Sequence, residues 1–210
     1  MKIADGRPLI YLISDGSITE QNYGERSAAF LQLLSYAVDS HIPLVQIREK
    51  GISARRLFEL STLAVALTKE SRTKLLINDR ADIALAARAD GVHLTTKSVA
   101  AEAVRKFFPE SFIIGVSTHS LGEVQAAAKG EADFAVYGPI FDTPGKPKAV
   151  GEDSLREAAS AVHSFPVLGL GGVDRSNYKQ VLKTGAAGFA AIRFLNNIDT
   201  LRRLRKEFEL

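Results

Sequence analysis

The sequence predicts a single α/β domain over residues 1–210, folded as a closed (β/α)8 barrel of the TIM type. Three observations predict it. Short apolar runs alternate with longer amphipathic segments from Leu9 to the C-terminus, the pattern of parallel strands joined by crossover helices. The 210 residues, 46% of them hydrophobic, can bury one substantial core, and no linker interrupts them. Eight such strand–helix units in this length favour closure over an open doubly wound sheet.

The first run, Leu9 to Ile13, is a strand followed by a polar loop from Ser14 to Tyr23. Phe30, Leu33, Leu34, Ala37 and Val38 then recur at helical spacing and predict a helix over about 24–40 packed on the sheet. The second strand is expected over 44–50, between Pro43 and Gly51. Ser53 caps the next helix, whose Leu57, Leu60, Ala64 and Leu67 share one face. Lys74 to Ile77 starts a third strand that ends at Asn78 and Asp79, and a short helix over 81–89 leads to the fourth, Gly91 to Leu94. Ser98 is placed to cap a helix from Val99 to Phe108, with Pro109 as its stop. Phe112 to Ser117 is the fifth strand, and Ser120 and Glu123 have capping-box spacing at the start of a helix reaching Lys129. After the sixth strand, Phe134 to Tyr137, the connection 138–151 is rich in Gly, Pro and Lys and reads as a mobile loop of functional length. Ser154 opens the next helix, Pro166 to Leu170 is the seventh strand, Asp174 caps a helix to about Thr184, and Gly188 to Ile192 is the eighth strand. In the closing basic helix over 199–208, Leu201, Leu204 and Phe208 read as core packing rather than a membrane anchor.

Composition narrows the function. Lys and Arg total 27 against 24 acidic residues, a net charge of +3 too balanced to imply nucleic acid as partner, though it leaves a bias toward small anionic molecules. There is no cysteine, hence no disulfide and no thiolate chemistry. No apolar run reaches membrane-spanning length and residues 1–6 lack a signal-peptide core, so the expected compartment is the cytoplasm, away from any membrane.

The candidate chemistry lies where the runs end, because barrels bind ligands at the carboxyl ends of their strands. Alternation along a strand puts Gln46, Arg48 and Lys50 on one face and Val45, Ile47 and Glu49 on the other. An amide, a guanidinium fork and an ammonium point charge suit a phosphate or pyrophosphate, and an exposed edge strand with solvated charges is the competing reading. Asn78 and Asp79 can hold hydrated Mg2+ beside a ligand phosphate, or can cap the following helix. Ser117 and His119 bring a hydroxyl and an imidazole to the fifth strand's end, whereas His93, within an apolar strand, reads as a satisfied core histidine. Gly171 and Gly172 lie between a strand and a helix N-terminus, where bare amides and the helix dipole can hold phosphate, or they form an ordinary tight turn. Arg193, ending the eighth strand, is a further cation for that phosphate or a surface charge. Neither a Ser/His/Asp nucleophile arrangement nor a zinc ligand set is present by spacing.

Taken together, the motifs Val45-Gln46-Ile47-Arg48-Glu49-Lys50, Ile77-Asn78-Asp79, Ala89-Asp90-Gly91-Val92-His93-Leu94, Gly115-Val116-Ser117-Thr118-His119, Tyr137-Gly138-Pro139-Ile140-Phe141-Asp142-Thr143, Gly169-Leu170-Gly171-Gly172 and Gly185-Ala186-Ala187-Gly188 give the chain its resemblance. It resembles the thiamine phosphate synthases and the related TenI-type thiazole tautomerases over nearly its whole length. The resemblance implies small phosphorylated substrates: hydroxymethylpyrimidine diphosphate, which loses pyrophosphate with help from Mg2+, and a thiazole phosphate whose nitrogen captures the resulting cation. Carried over, it implies that Gln46, Arg48, Lys50 and Asn78 bind the pyrophosphate, Asp79 the Mg2+ and Gly172 the thiazole phosphate, while Lys146 closes the site. Ser117, Thr143, Gly171 and Arg193 join the substrate-binding set, and Arg48, Lys50 and His119 are the catalytic candidates. Two features depart from the synthase pattern: Ser98 stands where a second metal-binding Asp is usual, and the loop over 142–146 lacks the second threonine before Lys146. Both point to the tautomerase branch, in which His119 carries a proton. Asp79 and Lys50 point to the synthase, which is the expected activity, with the tautomerase and a non-catalytic thiamine-phosphate-binding protein as alternatives. Both a monomer and a homodimer are admitted.

Overall fold

Each apolar run read as a strand forms one, and each is followed by a helix. The computed structural model describes residues 7–143, 145 and 148–210. The order is β1 (Leu9–Ile13), α1 (Tyr23–Asp39), β2 (Leu44–Ile47), α2 (Ala54–Thr68), β3 (Lys74–Asn78), α3 (Ala81–Ala87), β4 (Gly91–Leu94) and α4 (Ala101–Phe107). It continues through β5 (Ile113–Thr118), α5 (Leu121–Lys129), β6 (Phe134–Tyr137), α6 (Gly151–Ala161), β7 (Val167–Gly169), α7 (Tyr178–Lys183), β8 (Gly188–Ala191) and α8 (Ile198–Phe208). The strands are hydrogen-bonded in sequence order and close on themselves as an eight-stranded parallel barrel. Backbone contacts divide the chain into two units, one comprising the chain to Ile10 with His93–Ala191 and the other Tyr11–Val92 with Ile192–Leu210.

In the second unit, β2 pairs with β1 through Tyr11 opposite Leu44 and with β3 through Val45 opposite Leu75. All four residues of β2 are buried, as a strand covered on both faces requires. Phe30, Leu34 and Ala37 of α1 and Leu57, Leu60 and Ala64 of α2 are buried beside them. The predicted apolar face of α2 drifts, however. Leu67 is 41% exposed while Ser61 and Thr68 are buried, because 57, 61, 64 and 68 form one row on a helix of 3.6 residues per turn and 67 falls off it. Strand β2 also stops at Ile47, short of the predicted Lys50, since the Arg48 amide donates to Ser14 Oγ (2.8 Å) instead of extending the ladder.

In the first unit, β5, β6, β7 and β8 run side by side, with Ser117 opposite Val136, Tyr137 opposite Gly169 and Leu168 opposite Gly188. Glycine is needed at two of these positions by close approach. A Cβ at Gly169 would lie 2.7 Å from Val181 Cγ1 and 2.9 Å from Leu155 Cδ2, so its absence lets α6 and α7 seat on the sheet. At Gly188 the same atom would lie 1.9 Å from the Leu9 carbonyl oxygen.

Three predicted helix starts move. Ser98 accepts from the Thr95 amide (2.7 Å) in a tight turn, and α4 begins later, at Ala101. Asp174 accepts from the Ser176 amide and hydroxyl (2.7 and 2.6 Å), so a turn precedes α7, which starts only at Tyr178. Helix α6 begins at Gly151 rather than Ser154. Asp and Ser side chains readily bond their own local backbone, and that turn chemistry competes with capping. The described parts of the β6–α6 connection are pinned: the Ile140 amide donates to Leu170 O (2.9 Å), the Phe141 amide to Gly171 O (3.0 Å) and the Val150 amide to Pro139 O (2.8 Å). Leu201 and Leu204 of α8 are buried, as expected of core packing, whereas Phe208 is only partly covered. Among the described residues no helix is long and apolar enough to cross a membrane.

Replacement of Gly188 by Ala forces a methyl group against the backbone of β1 and is expected to cost about 2–3 kcal/mol. Urea unfolding of the variant beside the wild type reads the loss directly.

Candidate active site

Five of the predicted site residues fall in the segments that end the paired strands β2 and β3, where Gln46 is in register with Leu76 and Ile47 with Ile77. Gln46 is 1% exposed and Asn78 8%; Arg48 is half-buried and Lys50 is in solvent. The segment thus grades from a buried amide to a solvated cation. Gln46 Nε2 and Asn78 Oδ1 are buried without a hydrogen-bond partner, one a donor and the other an acceptor. Buried polar atoms are almost always paired; Ser61 Oγ, Thr73 Oγ1 and Arg203 Nη2 also lack partners among the described residues, but Gln46 and Asn78 are the two at adjoining strand ends. Asn78 Nδ2 donates to Asp79 Oδ2 (2.7 Å). Asp79 itself sits at φ +60, the left-handed region, which costs a residue with a Cβ about 1–2 kcal/mol.

Glu49, assigned no role from the sequence, is 6% exposed and faces the β1–α1 loop, where its Oε1 accepts from the Gly16 amide (3.2 Å) and its Oε2 from the Ile18 amide (2.9 Å). Burial raises its pKa above the ordinary carboxylate value, against hydrogen bonds from Ser14, Ile18 and Gly16 that lower it. A signal was present, because a carboxylate placed with Val45 and Ile47 on an apolar face requires partners.

The other predicted residues end or follow β5, β6, β7 and β8. His93 is 3% exposed and its Nε2 lies 3.0 Å from Ser117 Oγ, so the core histidine is satisfied by a predicted site residue. Gly115 makes room for this pair: a Cβ there would come 3.0 Å from His93 Nδ1 and 2.4 Å from the Phe134 ring. Ser120 caps α5 by accepting from the Glu123 amide, as predicted. The Glu123 carboxylate takes the His119 amide (2.5 Å) and so fixes the backbone of His119. His119 Nδ1 is 2.5 Å from the Gly138 carbonyl oxygen. A carbonyl only accepts, so Nδ1 carries the proton in the neutral ring and Nε2 presents a lone pair.

Gly171 and Gly172 have φ +101 and +65, and a Cβ at Gly172 would lie 2.7 Å from Phe141 Cβ. Their conformation and packing demand glycine, but α7 starts only at Tyr178, so no helix dipole reaches them. Thr143 donates its hydroxyl to Phe141 O (3.1 Å), and Arg193 is exposed in the turn after β8. Lys146 lies outside the described residues.

The Asn78–Asp79 oxygens fit Mg2+, a hard cation bound through one or two carboxylates with ligand oxygens and water completing its shell. Ser98 Oγ is engaged with the Thr95 amide, and among the described residues no group of three or more His, Cys, Asp or Glu could hold a metal ion. Protein atoms alone would therefore make a weak site.

Residues 10–195 match the family model described as thiamine monophosphate synthase. A thiamine-phosphate synthase from Roseiflexus castenholzii is 36% identical over 190 residues, covering 89% of this chain and 80% of that protein. Another, from Caldanaerobacter subterraneus subsp. tengcongensis, is 32% identical over 210 residues, covering 95% of each. Among solved structures, thiamine phosphate pyrophosphorylase from Pyrococcus furiosus is similar with a TM-score of 0.79 and 29% identity, covering 95% of this chain and 96% of that one.

The raised pKa of Glu49 sets a pH dependence. Between the unfolded and folded values the native state holds more protons than the unfolded chain, so stability falls as pH rises from the ordinary carboxylate range through the raised value, and is level above it. Asp15, Arg26 and Asp199 line the same cavity as Glu49, and Arg48 and Lys50 flank it in sequence. Urea midpoints from pH 4 to 8, compared with those of Glu49→Gln, are expected to show wild type losing ground to the variant as pH rises.

Proposed function

The chain belongs to the thiamine monophosphate synthase family, and from that premise we propose that it couples hydroxymethylpyrimidine diphosphate to hydroxyethylthiazole phosphate with release of pyrophosphate. The observation that carries this reading is the pair of orphaned buried atoms, Gln46 Nε2 and Asn78 Oδ1, beside the cations Arg48 and Lys50. Gln46 Nε2 offers a preformed donor to a pyrophosphate oxygen. Arg48 grips two oxygens through its fork, and Lys50 brings a point charge from the solvent side. As the carbon–oxygen bond to the pyrophosphate breaks, negative charge grows on the departing group. These donors interact more strongly with it then than with the bound substrate, which lowers the barrier. Mg2+, held by Asp79 and Asn78, would supply further neutralisation of the pyrophosphate charge. The amides around Gly171 and Gly172 are proposed to take the thiazole phosphate, with Ser117, Thr143, Lys146 and Arg193 as further substrate contacts. The proposed compartment is the cytoplasm.

A second reading rests on His119. With Nδ1 committed to Gly138 O, its Nε2 is oriented as a proton carrier, which isomerisation of a carboxythiazole phosphate requires and departure of pyrophosphate does not.

An assay supplying both thiamine precursors with Mg2+ tests the proposal, and absence of thiamine phosphate would overturn it. Arg48→Ala is expected to weaken pyrophosphate binding by about 2 kcal/mol, roughly 30-fold, by calorimetry. An unchanged affinity removes this strand end from the site.

His119→Ala separates the branches. Coupling is expected to fall by less than about tenfold, whereas a tautomerase would lose isomerisation by about 100-fold or more.

A further inference from the structure

Arg48 is tied through its backbone to a loop that the next residue, Glu49, holds. The Arg48 amide donates to Ser14 Oγ (2.8 Å), and the Ser14 hydroxyl in turn bonds the Glu49 carboxylate, which accepts the amides of Gly16 and Ile18. Residues 14–18 are thereby folded down along Arg48. A Cβ at Gly16 would lie 3.6 Å from Arg48 O and 3.9 Å from its Nη1. Beyond the loop, Thr19 bridges to Gly51 and Ile18 is 2% exposed. Glu49 is the one side chain here that gathers both amides and the hydroxyl.

We propose that Glu49 is a positioning residue that clamps the 14–18 loop against Arg48 and keeps the guanidinium presented to pyrophosphate. The inference rests on the proposed role of Arg48 as a pyrophosphate ligand. A cavity of about 410 Å3, lined by Asp15, Ser17, Ile18, Arg26, Glu49 and Asn196 among others, adjoins the loop and the carboxylate. Apolar packing of Ile18 alone would anchor the loop without needing a charge. The carboxylate is distinguished by two equivalent acceptor oxygens, which an amide lacks, and its burial opposes rather than assists stability. Loss of the clamp therefore separates binding from stability.

Glu49→Gln tests this, because glutamine keeps the shape and one acceptor but turns a donor toward one of the loop amides. Calorimetry with pyrophosphate is expected to show affinity about tenfold weaker, equivalent to one lost hydrogen bond of about 1.4 kcal/mol. Hydrogen exchange at Gly16 and Ile18 is expected to quicken at least about tenfold while the melting temperature stays level or rises. In an Arg48→Ala background, Glu49→Gln is expected to have no further effect on affinity. Unchanged affinity in Glu49→Gln, or an equal further loss in the double variant, would overturn the positioning role. An unchanged affinity in Arg48→Ala alone would instead overturn the assignment of Arg48 and the clamp's purpose with it. Should Glu49→Gln fail to fold, Ser14→Ala cuts the link from the Arg48 amide to the carboxylate and carries the same expectation for pyrophosphate affinity, alone and in the Arg48→Ala background.

Discussion

A parallel strand covered on both faces can carry polar side chains only where it ends. That constraint governs this chain, because β2 is buried along its whole length and an unpaired polar group there would cost free energy comparable to a lost hydrogen bond. The polar groups accumulate beyond Ile47, at Asn78 and Asp79, and after Val116. Of the buried polar atoms without partners among the described residues, Gln46 Nε2 and Asn78 Oδ1 are the ones at the ends of β2 and β3, where the proposed ligand would meet them. The chemistry follows from where burial stops.

The same constraint made much of the fold legible in the sequence. Strand bodies such as Leu9 to Ile13 and Phe134 to Tyr137 have to be apolar throughout, so their bounds could be read directly. What could not be read was where a polar residue near a strand end spends its hydrogen bonds. Ser98 and Asp174 looked like caps and instead close tight turns, because a short side chain can reach its own backbone as easily as that of a coming helix. Arg48 looked like a strand residue, but its amide found Ser14, 34 positions away in sequence. Leu67 looked like core only because its spacing was counted from Leu60 rather than along the whole row.

The candidate site was legible as residue types and less so as mechanism. Gln46, Arg48, Asn78 and Asp79 gather at two neighbouring strand ends as expected, since ladder register brings equivalent positions together. Gly171 and Gly172 are also required by their conformation, which the sequence does not display. Their positive φ and contact with Phe141 hold the β6–α6 connection in shape, and the expected helix start lies farther on. Glu49 was passed over although alternation placed it on the buried face with Val45 and Ile47, because the sequence does not name the loop amides, 31 and 33 positions away, that pair with it.

Asp79 carries a consequence for anyone engineering this protein. Its left-handed backbone is relaxed by glycine and tolerated by asparagine, so a library screened for heat tolerance alone would enrich both at this position. Each gain of that kind would discard the carboxylate beside Asn78. Thermostabilisation guided by folding readouts would thus drift toward a sturdier barrel stripped of the carboxylate proposed for Mg2+, unless codon 79 is held constant or every round is scored on product formed.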